Sequence, residues 1–208
     1  MHVSGTRVLL ATLLGALALQ VWGMVWWMGL GMMVEPVGAL PPAVESAVVD
    51  TLLDENIAEG AYFIPGIPGE ATPEAEEIWT TKQRSGPLGL FLYHPDGTEP
   101  LEPALFVRGF VINAASCLLA CLVITPGVRT GWGFPRVVGA ALAFGLVASM
   151  VAYGNLWNWM HAPTGFTWKM STDILGGWLF AGIAISAVLK RSAGTVTAIA
   201  AAAVVTSE

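Results

Sequence analysis

Four long apolar segments constrain the fold of this 208-residue chain more than any other feature. They lie at residues 8–33, 105–124, 137–159 and 174–189. A helix of roughly 20 residues crosses the apolar core of a bilayer. The fourth segment is shorter, but the long side chain of Lys190 can extend from its end to the membrane surface. The sequence therefore predicts an all-α membrane protein built on a four-transmembrane-helix bundle.

The charged residues are too few to cover the surface of a soluble protein. Only 12% of the residues are Asp, Glu, Lys or Arg, about half the share found in soluble domains. The net charge is −6, and thirteen of the fifteen acids lie between Glu35 and Glu102. This acidity argues against nucleic acid as a partner, because a nucleic-acid surface needs clustered bases.

The bases predict the orientation of the chain. Lys and Arg in short loops stay on the cytoplasmic side of a membrane. Five of them fall on one side if both termini are cytoplasmic: Arg7, Arg129, Arg136, Lys190 and Arg191. We therefore expect the large loop (34–104) to be periplasmic or extracellular and the Ala-rich tail (192–208) to be cytoplasmic.

The first apolar segment could be a retained transmembrane helix or a cleavable secretion signal. A short N-terminal region before an apolar run also begins a cleavable secretion signal, but this run is longer than a signal's. Trp22, Trp26 and Trp27 crowd its far end, as in an interfacial aromatic belt. We therefore expect residues 1–33 to be retained as a tail and first helix.

The polar residues 171–173 are expected to begin the fourth helix.

A first amphipathic helix is predicted in the large loop. Val44, Val48 and Leu52 recur at helical spacing, and the pattern continues to Ile57 with acids on the other faces. Gly60 is expected to end this helix. Val48 and Leu52 are expected to pack inward as part of a small core.

The rest of the loop shows a second helix and a strand. Thr72 is a candidate N-cap, Pro73 suits the first helical position, and Gly86 follows the expected end. Residues 62–69 are expected to be extended, and residues 88–94 are expected to form a strand. The loop is therefore predicted to be a small α+β extracytoplasmic cap between helices 1 and 2.

Small residues at four-residue spacing predict where the helices approach closely. Ala141, Gly145 and Ser149 repeat in the third segment, and Gly182 and Ser186 repeat in the fourth. Such small residues allow helix backbones to approach in membranes.

Polar side chains near the outer ends of the helices form a candidate site. Polar groups at membrane depth need partners, so these residues either line a pocket for a headgroup, quinone or peptide, or hold the helices and cap together. The cluster consists of Arg108, Asn113, Asn155, Asn158, His161 and Asp173. Arg108 is expected to pair with Asp173 or with an anionic headgroup. The aromatic residues expected at the interface are Trp22, Trp26, Trp27, Trp157, Trp159 and Trp168.

Metal and haem sites have weaker support. Met24, Met28 and Met32 form a stripe of thioethers that could bind Cu(I), although methionine is more commonly a gap-filler. Cys117 and Cys121 lie four apart inside a span, where they suit a helix contact better than redox chemistry. No span contains the two histidines of a bis-His haem site; His161 remains an alternative single axial ligand. We expect no metal or cofactor, with lipid or quinone as the alternative.

Short motifs along most of the chain resemble an uncharacterised group of bacterial four-span membrane proteins, which has no assigned activity. The motifs are Leu40-Pro41 with Glu45, Gly60-Ala-Tyr62-Phe-Ile-Pro65-Gly66, Ser85-Gly86-Pro87, Asp96-Gly97 and Asn155-Leu-Trp157-Asn158-Trp159. The resemblance implies a bacterial inner (cell) membrane location and says nothing about catalysis.

The sequence favours a non-catalytic role. It shows no nucleotide-binding glycine loop, no HExxH motif and no acid deep in a span. We expect an accessory or structural subunit of a larger membrane complex, such as a respiratory or photosynthetic one, with other membrane subunits and lipids as its partners. The alternative is a lipid- or quinone-binding carrier that uses a Trp-rich outer cleft.

Overall fold

The computed structural model describes residues 3–32 and 37–190. The Ala-rich tail (192–208) lies outside these residues. The described chain is mostly helical, and four of its helices are long and apolar enough to cross a membrane. These spans 1 to 4 are Gly5–Gly29, Pro103–Arg129, Phe134–Met160 and Thr164–Leu189. The predicted apolar helices are confirmed in number and order, and their length and composition suggest a multi-pass membrane protein.

The described residues form two compact units. The helical unit contains the described parts of Met1–Leu30, Pro103–Ala148 and Asp173–Glu208. The cap unit contains the described parts of Gly31–Glu102 together with Ser149–Thr172. The last part of span 3 and the start of span 4 therefore belong with the cap.

Two of the spans contain a π-helical segment. Span 1 is α1 (Gly5–Met24) followed by one π-helical stretch (Val25–Gly29). Helix α1 begins after Ser4, whose side chain accepts a hydrogen bond from the Arg7 backbone N–H at 3.4 Å. Span 3 contains a second π-helical stretch at Met150–Gly154.

The cap unit contains α2 (Pro42–Asp54), β1 (Gly60–Ile64), α3 (Pro73–Ser85) and β2 (Gly89–Tyr93). The remaining helices are α4 (Pro103–Arg129), α5 (Phe134–Ser149), α6 (Asn155–Met160) and α7 (Thr164–Leu189), with the second π-helical stretch at Met150–Gly154.

The fourth helix begins earlier than expected. It starts at Thr164, directly after Pro163, so residues 171–173 lie inside the helix and do not cap it. The hydroxyl of Thr172 donates to the Trp168 carbonyl at 2.8 Å. Bonding to the preceding turn lets a polar side chain sit inside a helix. The fourth span thereby reaches 26 residues, which is long enough to cross a membrane.

The second helix ends later than the expected residue 124. It continues through Pro126 to Arg129. Membrane helices tolerate proline in their interior, and the neighbouring Thr125 hydroxyl donates to the Cys121 carbonyl of the same helix at 2.6 Å. The ring of Trp132 lies against Gly127 and fills the space that a side chain would take.

Small residues bring the helices of the helical unit together, as predicted. A methyl group placed at Gly15 would lie 3.0 Å from Cγ1 of Ile185 and 3.1 Å from Sγ of Cys117. A methyl group at Gly182 would lie 2.8 Å from Cβ of Ala141. The core therefore depends on glycines at the helix contacts.

The elements of the cap match the sequence in kind. Helix α3 starts at Pro73 with Thr72 as N-cap, accepting from the Ala75 backbone N–H at 3.2 Å, and is followed by Gly86 at φ 69°. The strand expected at 88–94 is β2. Its antiparallel partner β1 begins two residues before the segment expected to be extended (62–69) and overlaps its start, with Tyr62 opposite Phe91.

Two expectations for α2 are wrong. The helix ends at Asp54, well before Gly60, because Asn56 turns the chain in a left-handed conformation (φ 50°) that asparagine tolerates. Val48 is 38% exposed and α2 contains no buried residue, so Val48 and Leu52 do not form a core within this chain.

Candidate functional site

Asp173 is held by two tryptophans of span 1. Nε1 of Trp27 donates to the Asp173 carboxylate at 3.0 Å, and Nε1 of Trp22 donates to its backbone carbonyl at 2.9 Å. Gly176 and Gly177 lack side chains, so the Trp22 ring lies directly on span 4. These hydrogen bonds of Asp173 join spans 1 and 4, and the pairing of Arg108 with Asp173 or with an anionic headgroup stays a prediction.

Other members of the predicted cluster in the helical unit also bind helix neighbours. Nδ2 of Asn113 donates to Oε1 of Gln20 at 3.0 Å, which ties span 2 to span 1. Arg108 is exposed, and its Nε donates to the Ala104 carbonyl at 3.3 Å. Gln20 was not among the predicted residues, although a lone amide in an apolar helix was a usable signal. The Asn113–Gln20 bond is a helix–helix contact, whereas the Arg108 bond stays within its own helix.

The remaining cluster members lie in the cap unit. Asn155 donates to the Val151 carbonyl of its own helix at 3.0 Å. Asn158 and His161 follow on the last turn of span 3, where His161 ends α6 in the left-handed conformation (φ 56°). The structure thus divides the six residues between two units, with Arg108, Asn113 and Asp173 in one and Asn155, Asn158 and His161 in the other.

The predicted interfacial aromatics fall into two groups. Trp22 packs on Phe180 with ring centroids 5.1 Å apart and lies 5.7 Å from Trp26. The indole of Trp157 donates to Oγ1 of Thr164 at 3.1 Å. By contrast, Trp159 is 70% exposed, and Trp168 is exposed to a similar extent. The first group builds the fold, and the exposed pair suits the interfacial belt expected from the sequence.

The sulfur donors are not brought together. Cys117 is buried beside Gly15 of span 1. Gly15 lies nine residues before Met24, so Cys117 and Met24 are separated by about 13 Å along the helix axis. Met24 and Met28 are exposed. Within residues 3–32 and 37–190, no group of three or more His, Cys, Asp or Glu side chains is placed to hold a metal ion.

A cleft of about 400 Å³ opens in the cap unit. One side is formed by β1, the following loop and α3, and the other by the end of span 3. Its apolar lining includes Phe63, Ile64, Trp79 and Trp159, and its polar lining is Gln83, Asn158 and His161. We call it the outer cleft. Its volume lies in the range of small-molecule sites.

Trp79, which lines the outer cleft, has an unsatisfied hydrogen-bond donor. Nε1 of Trp79 is buried and has no partner among the described residues. A buried donor left without a partner costs about 1–3 kcal/mol. Trp79 and Gln83 lie one turn apart on α3 and were not predicted; an aromatic residue and a neutral amide on an otherwise acidic helix were the signals available.

Comparison of the chain with protein-family models, with curated proteins and with solved structures found no match.

Proposed function

We propose that the protein is a non-catalytic accessory subunit of a larger bacterial inner-membrane complex, docked to a partner subunit through the cap. The observation that carries this proposal is the uncovered apolar face of α2. This face consists of the exposed Val44, Val48, Val49 and Leu53, together with the half-buried Leu52. Val44 is 47% exposed and Leu53 is 55% exposed.

A helix of this length needs a surface to pack against. Helix α2 has 13 residues and none of them is buried. Isolated helices of about 12–15 residues are marginal in water, and helices in proteins gain most of their stability from an apolar face that is covered. The apolar face of α2 therefore supports a partner that completes it.

The charges around this face favour a partner protein over the lipid surface or a second copy. Asp50 and Asp54 lie on the opposite side of α2, and no base occurs in the helix. Helices that lie on a bilayer surface usually carry Lys or Arg. A second copy would bring another acidic cap against the first. The chemistry fits a partner surface with an apolar centre and a basic rim.

The contacts in the helical unit support a structural role for the bundle. The carboxylate of Asp173 is bonded to Trp27, and Asn113 is bonded to Gln20. These side chains join spans to each other. They therefore favour a scaffold that carries the cap.

Photo-crosslinking tests the docking face. A photoreactive residue at position Val48 should form one discrete protein adduct in intact cells, whereas the same residue at Asp50, on the acidic side, should form none. The Val48 adduct should disappear when Val44 and Leu53 are both changed to Ser, with the abundance of the chain unchanged. A lipid adduct, a self-adduct or an adduct that survives these changes contradicts the proposal.

The proposed orientation places both termini in the cytoplasm and the cap outside. It rests on the asymmetry of Lys and Arg across the spans. A cysteine introduced at Glu76 should react with a membrane-impermeant thiol reagent in intact cells, whereas one at Thr130 should react only after lysis. The unaltered chain, with its buried Cys117 and Cys121, is the blank. Reaction at Thr130 and protection at Glu76 in intact cells would reverse the orientation.

A further inference from the structure

We propose that the outer cleft binds the headgroup of a quinone, a flat neutral ring that carries carbonyl acceptors and an apolar tail. This binding role is separate from the docking of α2 to a partner. It rests on three observations: the shape of the cleft, its donors and its charge.

The walls of the cleft suit a flat ring. Trp79, Trp159 and Phe63 contribute aromatic surface, and Ile64 and Ile67 contribute aliphatic surface. Aromatic side chains pack favourably on planar rings in offset or edge arrangements. A volume of about 400 Å³ accommodates a single ring with the beginning of a tail.

The polar groups of the cleft suit carbonyl oxygens. Nε1 of Trp79 is a buried donor without a partner among the described residues. The side chains of Gln83, Asn158 and His161 also make no hydrogen bond with another described residue. Gln83 lies one turn from Trp79 on α3, whereas Asn158 lies in the last turn of span 3 and His161 directly follows that span. Donors therefore stand on two sides of the cleft, where a ring with two carbonyls can use both.

The charges disfavour a phospholipid or a fatty acid. No Lys or Arg lines the cleft, and the surrounding cap unit has thirteen acids against three bases, Lys82, Arg84 and Lys169. A phosphate or carboxylate placed there would lack a cationic partner. A neutral acceptor has no such requirement. Among neutral lipids with carbonyls, the flat aromatic walls favour a quinone over a diacylglycerol.

Binding to the purified full chain in mild detergent tests this proposal. Titration with a decyl-tailed para-benzoquinone should raise the melting temperature in a saturable way. Trp79→Phe keeps the ring and removes the N–H, so the affinity should fall about fivefold to tenfold. Gly89→Leu should abolish binding, because Gly89 lines the cleft and a side chain there enters open space.

Matched controls lie outside the cleft. Gly97→Leu is also open to solvent in the cap, and Trp168→Phe removes an exposed indole N–H. Neither change should alter the quinone affinity. Equal quinone affinity in Trp79→Phe, Gly89→Leu and the unaltered chain overturns the proposal. So does stabilisation by diacylglycerol or phosphatidylethanolamine, lost in Gly89→Leu, without stabilisation by the quinone.

Discussion

Gly182→Val is expected to destabilise the protein by about 3 kcal/mol, because it adds side-chain volume where two helix backbones meet. A single methyl group at Gly182 would already lie 2.8 Å from Cβ of Ala141 and 3.3 Å from the Cα of Val138. Neither atom belongs to a side chain that can swing away. The free energy of unfolding, measured by denaturing-detergent titration from mild-detergent micelles, checks the value.

Gly139→Val is the matched control for this change. Gly139 lies in α5, and no atom would contact a methyl group placed there within 4 Å. Since valine also has the higher helix propensity, the stability should stay the same or rise slightly. Equal losses for the two variants would show that the contact between spans 3 and 4 is not formed as described.

Trp27→Phe is expected to destabilise the protein by about 2 kcal/mol. The change keeps most of the ring but removes the donor to the half-buried Asp173 carboxylate, and hydrogen bonds to charged groups contribute about 1.5–3 kcal/mol. Combining it with Asp173→Ala should cost less than the sum of the single losses, because both changes remove the same contact. Unfolding free energies of the four proteins measure this coupling.

The neighbouring tryptophan gives a close control. Nε1 of Trp26 is buried and has no partner among residues 3–32 and 37–190. Trp26→Phe removes an unpaired donor, so it should leave the stability unchanged or raise it. A loss in Trp26→Phe as large as that in Trp27→Phe would mean that ring packing, and not the hydrogen bond to Asp173, holds span 1 to span 4.

Much of the fold was predictable because its determinants are local. Apolar runs of membrane length located the four spans, and Thr72, Pro73 and Gly86 bounded α3 through capping and turn preferences. The end of α2 and the start of span 4 were misplaced. The sequence pattern does not show that Asn56 turns the chain after α2 or that Thr172 lies inside a helix. An asparagine can take the role of a glycine, and a threonine can lie inside a helix by bonding backwards.

The candidate site was only partly predictable because its contacts are between distant segments. The sequence marked Asn158, His161 and Asp173 as polar residues at membrane depth. Their neighbours depend on how helices and strands meet: Asp173 meets Trp27, and Asn158 shares the outer cleft with Trp79. Helical periodicity assigns residues to a face but does not identify the element that covers it.

The π-helical stretch in span 1 changes which residues share a face. Residues five apart on a regular α-helix point about 140° away from each other, yet Trp22 and Trp27 both reach Asp173. The i to i+5 bond from the Leu30 N–H to the Val25 carbonyl, at 2.8 Å, marks the wider turn that brings them towards alignment. Such a turn accommodates one surplus residue. A related chain that lacks one residue between the two tryptophans would hold them four apart on an ordinary helix and present the same pair of indoles. Alignments of this region should therefore allow a one-residue gap at Val25–Gly29 without assuming that the surface facing span 4 has changed.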